Sequence, residues 1–352
     1  MSGCDQEIQF EERGGIGLIT LNKPKAMNAV SLAMIEAISA KLDCWAAVDH
    51  IAAIAICGAG ERAFSAGGDI RELYERRGSD FGEIYYAREY KLDLKIHHYP
   101  KPYLALMDGV TMGGGAGVSV HGSHRIVSER TLFAMPETGI GLFPDVGASW
   151  FLNRCPGELG MYLALTGYRM GAADAIHAGI GDLFIPSYDQ SSLIEALEQA
   201  DRLDSGTIDR ILGGFASDPG TPRLAAHSAE IDRCFGAASV EGILAALEDE
   251  GSNWAEEQLQ IISTKSPTSL AVTYRQLRQG RKLQRIEQVM AMEYRLAVHF
   301  YRGHDFFEGT RALIIDKDGA PNWRPASLSE ISEAEIDAYF ALVAGEPNFE
   351  TA

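Results

Sequence analysis

The sequence predicts an α/β protein with a helical C-terminal region, and three features support this prediction. Apolar runs at 51–60 and 101–110 each close in glycines, as strands buried on both faces of a sheet do. Strand, glycine-rich turn and helix recur at intervals of roughly 45–50 residues, which is typical of alternating α/β architecture. From about residue 155 onward, the apolar spacing is almost entirely helical.

The elements of the first part follow in order along the chain. GIGLITLN at 15–22 is typical of a strand, and the segment 31–48 has helical apolar spacing with Ser31 as its expected N-cap. AFSAGGDI then turns into a helix, RELYERR. The strand KPYLALMDGV at 101–110 runs into TMGGGAGVSVHG, a second glycine-rich turn.

The later part has a different pattern. Helical periods occur in ELGMYLALTG, AADAIHAG, SSLIEALEQA and VEGILAALEDE, and another long amphipathic helix is expected at 283–300. We therefore predict a mixed α/β core at 1–205 and a helical region at 206–352.

Composition excludes several classes of partner. The formal net charge of −18 argues against nucleic acid, because phosphate binding needs a basic surface. No apolar run approaches the roughly 20 residues needed to span a membrane, and the acidic N-terminal sequence lacks a signal or transit pattern. Five scattered cysteines fit reduced thiols. We expect a cytoplasmic enzyme with neither a membrane nor a nucleic-acid partner.

Two glycine-rich turns, SAGGD at 65–69 and MGGGAG at 112–117, follow predicted strands. One interpretation is that they are tight turns that need glycine. Another is that one backbone N–H from each turn converges on a single oxygen and forms an oxyanion hole. The residues alone leave both interpretations open. No group of residues has metal-ligand spacing, so we predict no metal site.

The stretch FAMPETGIGLFPDVG, 133–147, places Glu137 and Asp145 in an apolar, turn-rich run. Loop capping through N–H bonds is one explanation for two such carboxylates. The other is that glycine and proline bend the loop so that both carboxylates face one cleft. Phe133, Leu142 and Phe143 would then wall that cleft and keep water scarce.

These motifs together resemble a known family. AFSAGGDI, GVTMGGGAG and FAMPETGIGLFPDVG, preceded by LNKPKAMNA, are similar in order and spacing to the crotonase superfamily of acyl-CoA enzymes. SVHG and the C-terminal HDFFEGTRALIIDKDGAPNWRP further resemble its 3-hydroxyisobutyryl-CoA hydrolase branch. The resemblance runs from about residue 8 to 328. It implies a crotonase-like spiral of ββα units and an acyl-CoA-binding catalytic core at 1–205.

The resemblance also assigns roles to residues. It implies oxyanion N–H groups at Gly68 and Gly114, and it matches Glu137 to one of the two glutamates of the superfamily's hydratases. The second glutamate would fall at Gly117, a departure that argues against hydration and would leave room there for a substrate hydroxyl. Asp145 is the second carboxylate here, as in the hydrolase branch, and Glu89 matches a substrate-contacting glutamate.

Coenzyme A is implied as the handle of the substrate, and no redox cofactor is expected. The candidate contacts to its nucleotide end are Lys25, Ala26, Ala66, Gly67, Asp69 and Ile70. Members of the superfamily often form trimers, so a homo-oligomer remains open.

We expect hydrolysis of an acyl-CoA thioester, and the resemblance favours 3-hydroxyisobutyryl-CoA, an intermediate of valine degradation. Enoyl-CoA hydratase or isomerase chemistry is the first alternative. Non-catalytic binding of acyl-CoA is an alternative from a different class.

Overall fold

The computed structural model describes residues 7–350, and it confirms the predicted α/β fold. The strands are β1 (Ile8–Arg13), β2 (Ile16–Leu21), β3 (Ala53–Gly58), β4 (Ala63–Ser65), β5 (Tyr103–Met107), β6 (Val110–Met112), β7 (His124–Val127), β8 (Leu132–Ala134) and β9 (Leu183–Phe184). Six of them form one sheet in the order β1-β2-β3-β5-β7-β9. The other three form a smaller sheet, in the order β4-β6-β8.

The helices alternate with strands in the first part of the chain and then continue alone. They are α1 (Leu32–Ala46), α2 (Ile70–Glu75), α3 (Phe81–His97), α4 (Gly114–Val120), α5 (Ala148–Phe151), α6 (Leu159–Thr166), α7 (Ala172–His177), α8 (Gln190–Glu198), α9 (Ser205–Phe215), α10 (Ser228–Phe235), α11 (Val240–Glu250), α12 (Asn253–Ser263), α13 (Pro267–Gly280), α14 (Ile286–Arg302), α15 (Asp305–Thr310) and α16 (Glu333–Tyr339). After β9, the described residues form helices and loops only, which agrees with the predicted helical C-terminal region.

The large sheet is mostly parallel. β1 and β2 form an antiparallel hairpin, whereas the neighbouring pairs from β2 to β9 are all parallel. Apolar side chains of this sheet, including Ile16, Leu104 and Ile126, pack in one buried cluster with Leu193 of α8 and Leu212 of α9. This cover on the sheet explains why its parallel strands are continuous apolar runs in the sequence.

Three successive ββα units give the fold its repeat. In each unit the first strand (β3, β5 or β7) enters the large sheet and the second (β4, β6 or β8) enters the small sheet, before the chain turns toward a helix. The residues that follow the second strands are Ala66-Gly67-Gly68, Gly113-Gly114 and Met135-Pro136-Glu137. The repeat therefore places the three predicted site motifs at equivalent points of successive units.

The predicted helix caps and turns are also present. Ser31 precedes α1 in an extended conformation, and its hydroxyl accepts the N–H of Met34 at 3.3 Å. The predicted strand at 101–110 is divided, because Gly109 adopts a φ of 92° and separates β5 from β6. A residue other than glycine would be strained there.

The chain packs as two compact units, each assembled from separated stretches. The first comprises the described residues up to Asp69, with Lys91–Phe133 and Arg169–Arg223. The second comprises Ile70–Tyr90, Ala134–Tyr168 and the described residues from Leu224 onward. The linear division at residue 205 stays a prediction. Among the described residues, no helix is both long enough and apolar enough to cross a membrane.

Candidate active site

The two glycine-rich turns contact each other within the first unit. Gly67 has a φ of 117°, and a Cβ atom built on it would lie 3.2 Å from the carbonyl oxygen of Met112 and 3.6 Å from the nitrogen of Gly114. A side chain at position 67 would therefore be both strained and crowded. Glycine here allows the backbone after β4 to approach the backbone after β6.

Gly114 is the first residue of α4, and it is buried. Its N–H belongs to the first turn of the helix, where backbone donors have no intrahelical acceptor. Gly115 allows close packing at the same point, since a Cβ on it would lie 2.4 Å from the carbonyl oxygen of Ser65. The turn that carries Gly68 is braced by the Ser65 hydroxyl, which accepts the N–H of Gly67 at 3.3 Å.

The space beside Gly117 is filled, which corrects our expectation that it leaves room for a substrate hydroxyl. A Cβ on Gly117 would lie 2.7 Å from Oδ1 of Asp93, and Asp93 is completely buried. A carboxylate from α3 thus occupies the place that a side chain at 117 would need. This burial could not be predicted, because KLDLKIHH has the polar composition of an exposed helix face.

The predicted coenzyme A contacts of the first unit lie on two bonded turns. Lys25 and Ala26 are exposed in a short 3₁₀ helix. Directly after this helix, the carbonyl oxygen of Met27 accepts the N–H of Ala66 at 2.9 Å. The carbonyl oxygen of Gly67 in turn accepts the N–H of Val30 at 2.9 Å. Predicted contacts at 25–26 and at 66–67 are therefore brought together.

Asp69 lies beside a lysine that the sequence analysis did not single out. Lys23 Nζ lies 2.9 Å from an Asp69 carboxylate oxygen and 3.3 Å from one of Glu7. The pKa of Lys23 is raised, with burial opposing the rise and the carboxylates of Asp69 and Glu7 favouring the charged form. Ile70, the last predicted contact, is the first residue of α2 and belongs to the second unit.

Glu137 is buried in the second unit. It begins a short 3₁₀ helix, Glu137–Ile140, and only 4% of its surface is exposed. Its Oε2 atom has no hydrogen-bond partner among the described residues. Burial, and then the negative charge of Asp145, raise the pKa of Glu137 well above its ordinary value. Such a group can hold a proton near neutral pH and has an oxygen available for a ligand.

Asp145 is also buried, and it accepts a hydrogen bond from the hydroxyl of Tyr90 at 2.9 Å. Burial raises its pKa to about 7, although the Tyr90 hydrogen bond opposes the rise. The next two residues, Val146 and Gly147, have positive φ values of 51° and 82°. This left-handed pair turns the chain sharply behind the carboxylate.

Glu89, the third predicted carboxylate, lies in the same unit. It is 3% exposed and accepts a 3.4 Å hydrogen bond from the hydroxyl of Tyr85, one turn away on α3. Burial and the charge of Asp145 raise the pKa of Glu89, and the charge of Glu89 in turn raises that of Glu137. The structure therefore brings the three predicted carboxylates, Glu89, Glu137 and Asp145, together as one interacting cluster.

A fourth buried carboxylate, Glu293 on α14, was not predicted from the sequence. It accepts the N–H of Gly147 at 2.7 Å and that of Ser149 at 2.8 Å, while Gln276 donates to it at 3.2 Å. Gln276 also donates to the carbonyl oxygen of Pro144 at 2.7 Å. Burial raises the pKa of Glu293 to about 7, and its hydrogen bonds oppose the rise. These bonds hold the turn on both sides of Asp145.

The apolar residues predicted to wall the loop are buried. Leu142 is 2% exposed, and Phe143 is fully buried and stacks on Phe300 with 5.4 Å between ring centroids. In such surroundings a charge is poorly solvated, so protons are exchanged at higher pH than in water. The cluster therefore suits proton transfer or nucleophilic attack near neutral pH. Residues 7–350 contain no group of three or more His, Cys, Asp or Glu that could hold a metal ion.

Comparison with known proteins agrees with the resemblance of the motifs. A family model described as enoyl-CoA hydratase/isomerase matches residues 16–340. The protein named 3-hydroxyisobutyryl-CoA hydrolase, mitochondrial, of Danio rerio is 43% identical over 347 residues, covering 97% of this chain and 91% of that protein. The protein of the same name from Homo sapiens is 43% identical over 342 residues, covering 95% and 88%.

A solved structure shares the fold over nearly the whole length. The protein named carnitinyl-CoA dehydratase from Mycobacterium thermoresistibile has a TM-score of 0.93 and 38% identity, covering 99% of this chain and 100% of that one. The crotonase-like spiral with a helical C-terminal region is therefore confirmed.

Proposed function

Since this chain belongs to the enoyl-CoA hydratase/isomerase family, we propose that it hydrolyses the thioester of an acyl-CoA, with 3-hydroxyisobutyryl-CoA as its substrate. One observation carries the choice of hydrolysis within the family. Glu137 has a buried carboxylate oxygen with no hydrogen-bond partner among the described residues. The position where hydratases of the family have their second glutamate is Gly117 here, and the Asp93 carboxylate fills the space beside it. The names of relatives at 43% identity support the same substrate.

The proposed chemistry uses backbone N–H donors for the thioester oxygen and a carboxylate for the attack. The thioester oxygen accepts the N–H groups of Gly68 and Gly114, which stabilise the negative charge that develops on it. One such donor lowers a barrier by about 2.7–4 kcal/mol. Glu137 then attacks the carbonyl carbon to give a mixed anhydride, which water cleaves in a second step to release the acid and free Glu137. Alternatively, Glu137 removes a proton from a water that attacks the carbonyl carbon directly.

In either route the C–S bond breaks and the sulfur leaves as the thiolate of coenzyme A, which takes up one proton. Asp145, with a pKa of about 7, is suited to hold such a proton and to orient the water or the substrate hydroxyl. Glu89 is proposed to contact the acyl group. The nucleotide end of coenzyme A is proposed to lie along Lys25, Ala26 and 66–70.

Hydratase or isomerase chemistry is the alternative hypothesis. The name of the carnitinyl-CoA dehydratase with the same fold favours it. Adding water to a double bond requires protonation of one carbon while hydroxide adds to the next, which in this superfamily employs two glutamates. Only Glu137 of that pair is present here. Non-catalytic binding is disfavoured because a binding protein has no need for a cluster of buried carboxylates.

One assay distinguishes the three hypotheses of hydrolysis, hydration or isomerisation, and non-catalytic binding. Release of thiol is measured for a panel of acyl-CoAs, beside the loss of enoyl absorbance with crotonyl-CoA. We expect rapid thiol release from 3-hydroxyisobutyryl-CoA, slower release from straight-chain acyl-CoAs, and negligible addition of water to crotonyl-CoA. Efficient hydration of crotonyl-CoA with an intact thioester would reject the hydrolase proposal. Binding without either reaction would favour the non-catalytic alternative.

The cellular setting is a separate part of the proposal. We place the activity in valine degradation and the protein in the cytoplasm, although the two relatives are named mitochondrial. The four cysteines of the described chain are thiols, which fits any reducing compartment. Fractionation of cells that express a tagged chain tests the location, and sedimentation tests for a homo-oligomer.

A further inference from the structure

Three tyrosines project from one side of α3 in the second unit. Tyr85, Tyr86 and Tyr90 are at most 2% exposed. The rings of Tyr85 and Tyr86 lie 5.7 Å apart between centroids, and those of Tyr86 and Tyr90 lie 5.9 Å apart. Tyr86 therefore lies between two aromatic neighbours, and its ring position is fixed by packing.

The hydroxyls of these tyrosines differ in what they bind. Tyr85 donates to Glu89 at 3.4 Å, and Tyr90 donates to Asp145 at 2.9 Å. The hydroxyl of Tyr86 is buried and has no hydrogen-bond partner among the described residues. Buried hydroxyls nearly always have a partner, because leaving one unpaired costs free energy. Tyr86 is therefore the exception among the three tyrosines.

A second unpaired atom lies in the same unit, namely Oε2 of Glu137. The two atoms have complementary chemistry, because a tyrosine hydroxyl donates and a carboxylate oxygen accepts. The cluster therefore offers both a donor and an acceptor that the protein itself leaves unused. A ligand that carries oxygen atoms could satisfy them.

The charges around Tyr86 keep it a donor. Burial, followed by the negative charges of Asp145 and Glu89, raises the pKa of Tyr86 well above its ordinary value. The hydroxyl therefore retains its proton over the whole working range of an enzyme. The carboxylates that surround it can accept, but a carboxylate cannot donate unless it is protonated.

We propose that Tyr86 is a specificity-determining residue, whose hydroxyl donates a hydrogen bond to the 3-hydroxyl oxygen of the acyl group. This inference rests on the proposed function and deepens it. A substrate hydroxyl both accepts and donates, so it can take the proton of Tyr86 while giving its own to a carboxylate of the cluster. An acyl group without the hydroxyl leaves Tyr86 unpaired, and a site built to bond a hydroxyl discriminates against such an analogue.

The thioester oxygen is a less suitable acceptor for Tyr86. That oxygen is assigned to the N–H groups of Gly68 and Gly114, and it is common to every acyl-CoA. A tyrosine that served it would affect all substrates equally. The position of the hydrogen bond therefore determines which substrates a variant harms.

The test is a binding measurement that does not depend on turnover. Dissociation constants of 3-hydroxyisobutyryl-CoA and of isobutyryl-CoA are measured by calorimetry for Glu137→Gln and for Glu137→Gln with Tyr86→Phe. The phenylalanine keeps the ring and removes only the hydroxyl. We expect the preference for the hydroxylated ligand to fall by at least about 5-fold, which is the size of one hydrogen bond.

Tyr301→Phe in the same background is the matched control. Tyr301 is also buried, at 3% exposed, but its hydroxyl donates to the backbone carbonyl of Arg76 at 3.0 Å, so the preference should not change. An unchanged preference in the Tyr86 variant, or an equal loss for both ligands, overturns the assignment of Tyr86. Thiol release by the wild-type protein is measured separately, so failure of the hydrolase proposal is distinguishable from failure of this one.

Discussion

Glu137 and Asp145 are carboxylates that the chain keeps in apolar surroundings. Their burial raises both pKa values, and the charge of Asp145 raises that of Glu137 further. A structural role in loop capping would leave their oxygens bonded to nearby N–H groups. Oε2 of Glu137 has no such bond among the described residues, which favours a chemical role.

Glu137→Gln tests this chemical role. The amide keeps the shape of the side chain but cannot act as base or nucleophile, so thiol release should fall by at least ~10²-fold. The protein should remain folded, as measured by circular dichroism. Glu36→Gln, on α1, is the control for loss of one carboxylate. Near-normal thiol release by the Glu137 variant would remove Glu137 from the proposed mechanism.

Gly114→Val tests the proposed role of the Gly114 N–H as a donor to the thioester oxygen. A branched side chain at the start of α4 would crowd the contact with the Gly67 turn and tilt the N–H of residue 114. Because the thioester oxygen is common to all acyl-CoAs, kcat should fall for every substrate by a similar factor, of ~10²-fold or more. Kinetics on hydroxylated and unsubstituted acyl-CoAs measure this. A loss confined to one substrate would instead mean that residue 114 recognises the acyl group.

The motifs predicted some residues of the candidate site and missed others for a physical reason. Glu137 and Asp145 were noticed because carboxylates are unusual among prolines, glycines and phenylalanines. Asp93, Tyr86 and Glu293 lie on α3 and α14, where polar residues normally form the exposed face of an amphipathic helix. Only packing shows that these three are buried.

Helix α14 positions the turn that carries Asp145. Glu293 accepts two N–H groups from that turn, and Gln276 of α13 joins the same network. Helices of the C-terminal region thus hold the 144–149 segment by directional bonds and not by apolar contact alone. This is the contribution of the helical region to the geometry of the carboxylate cluster.

Glu293→Gln tests that contribution. An amide can accept one N–H, but its NH₂ group would then face the other N–H donor. We expect the free energy of unfolding to fall by about 2–3 kcal/mol, as for lost hydrogen bonds to a charged group. Urea denaturation measures this change in unfolding free energy. We also expect kcat to fall, with little change in the binding of coenzyme A. Glu287→Gln, which lies near the start of the same helix, is the control.

If Glu293 did not position the turn, Glu293→Gln and its control Glu287→Gln would have the same kcat. Glu293→Asp keeps the charge but shortens the side chain, so it should recover part of the stability lost in the glutamine variant. Equal destabilisation by both substitutions would mean that side-chain volume, and not the carboxylate, is what the turn requires.

The elements themselves were mostly predictable, with two informative exceptions. α1, β2, β3 and the helical later part follow the apolar periods of the sequence. β1 was missed because four of the six residues in IQFEER are polar, as suits an edge strand that pairs with β2 alone among the described strands. The run at 101–110 was predicted as one strand, but Gly109 divides it between the two sheets. A linear pattern does not report which sheet a strand joins.

For the whole molecule, buried carboxyls make stability depend on pH. Burial raises the pKa of Asp145 from its ordinary value of 3.8 to about 7. Between these values the folded protein holds a proton on Asp145 that the unfolded chain has lost. Stability therefore falls as pH rises through this interval, and the loss is complete above the folded pKa. The net charge of −18 adds self-repulsion to this trend.

Asp145→Asn removes this titrating group from the buried cluster. The asparagine does not titrate, and without the charge of Asp145 the pKa values of Glu89 and Glu137 also move back toward their ordinary values. The loss of unfolding free energy between about pH 5 and about pH 8 should therefore be smaller than in the wild-type protein by at least about 2.7 kcal/mol, because about two pH units separate pH 5 from the folded pKa of Asp145. Asp249→Asn removes an exposed charge and should leave the wild-type slope unchanged. Urea denaturation of the three proteins at both pH values measures the difference. Parallel slopes for all three would mean that Asp145 is ionised throughout, and that its burial is compensated by the Tyr90 hydrogen bond and its other contacts.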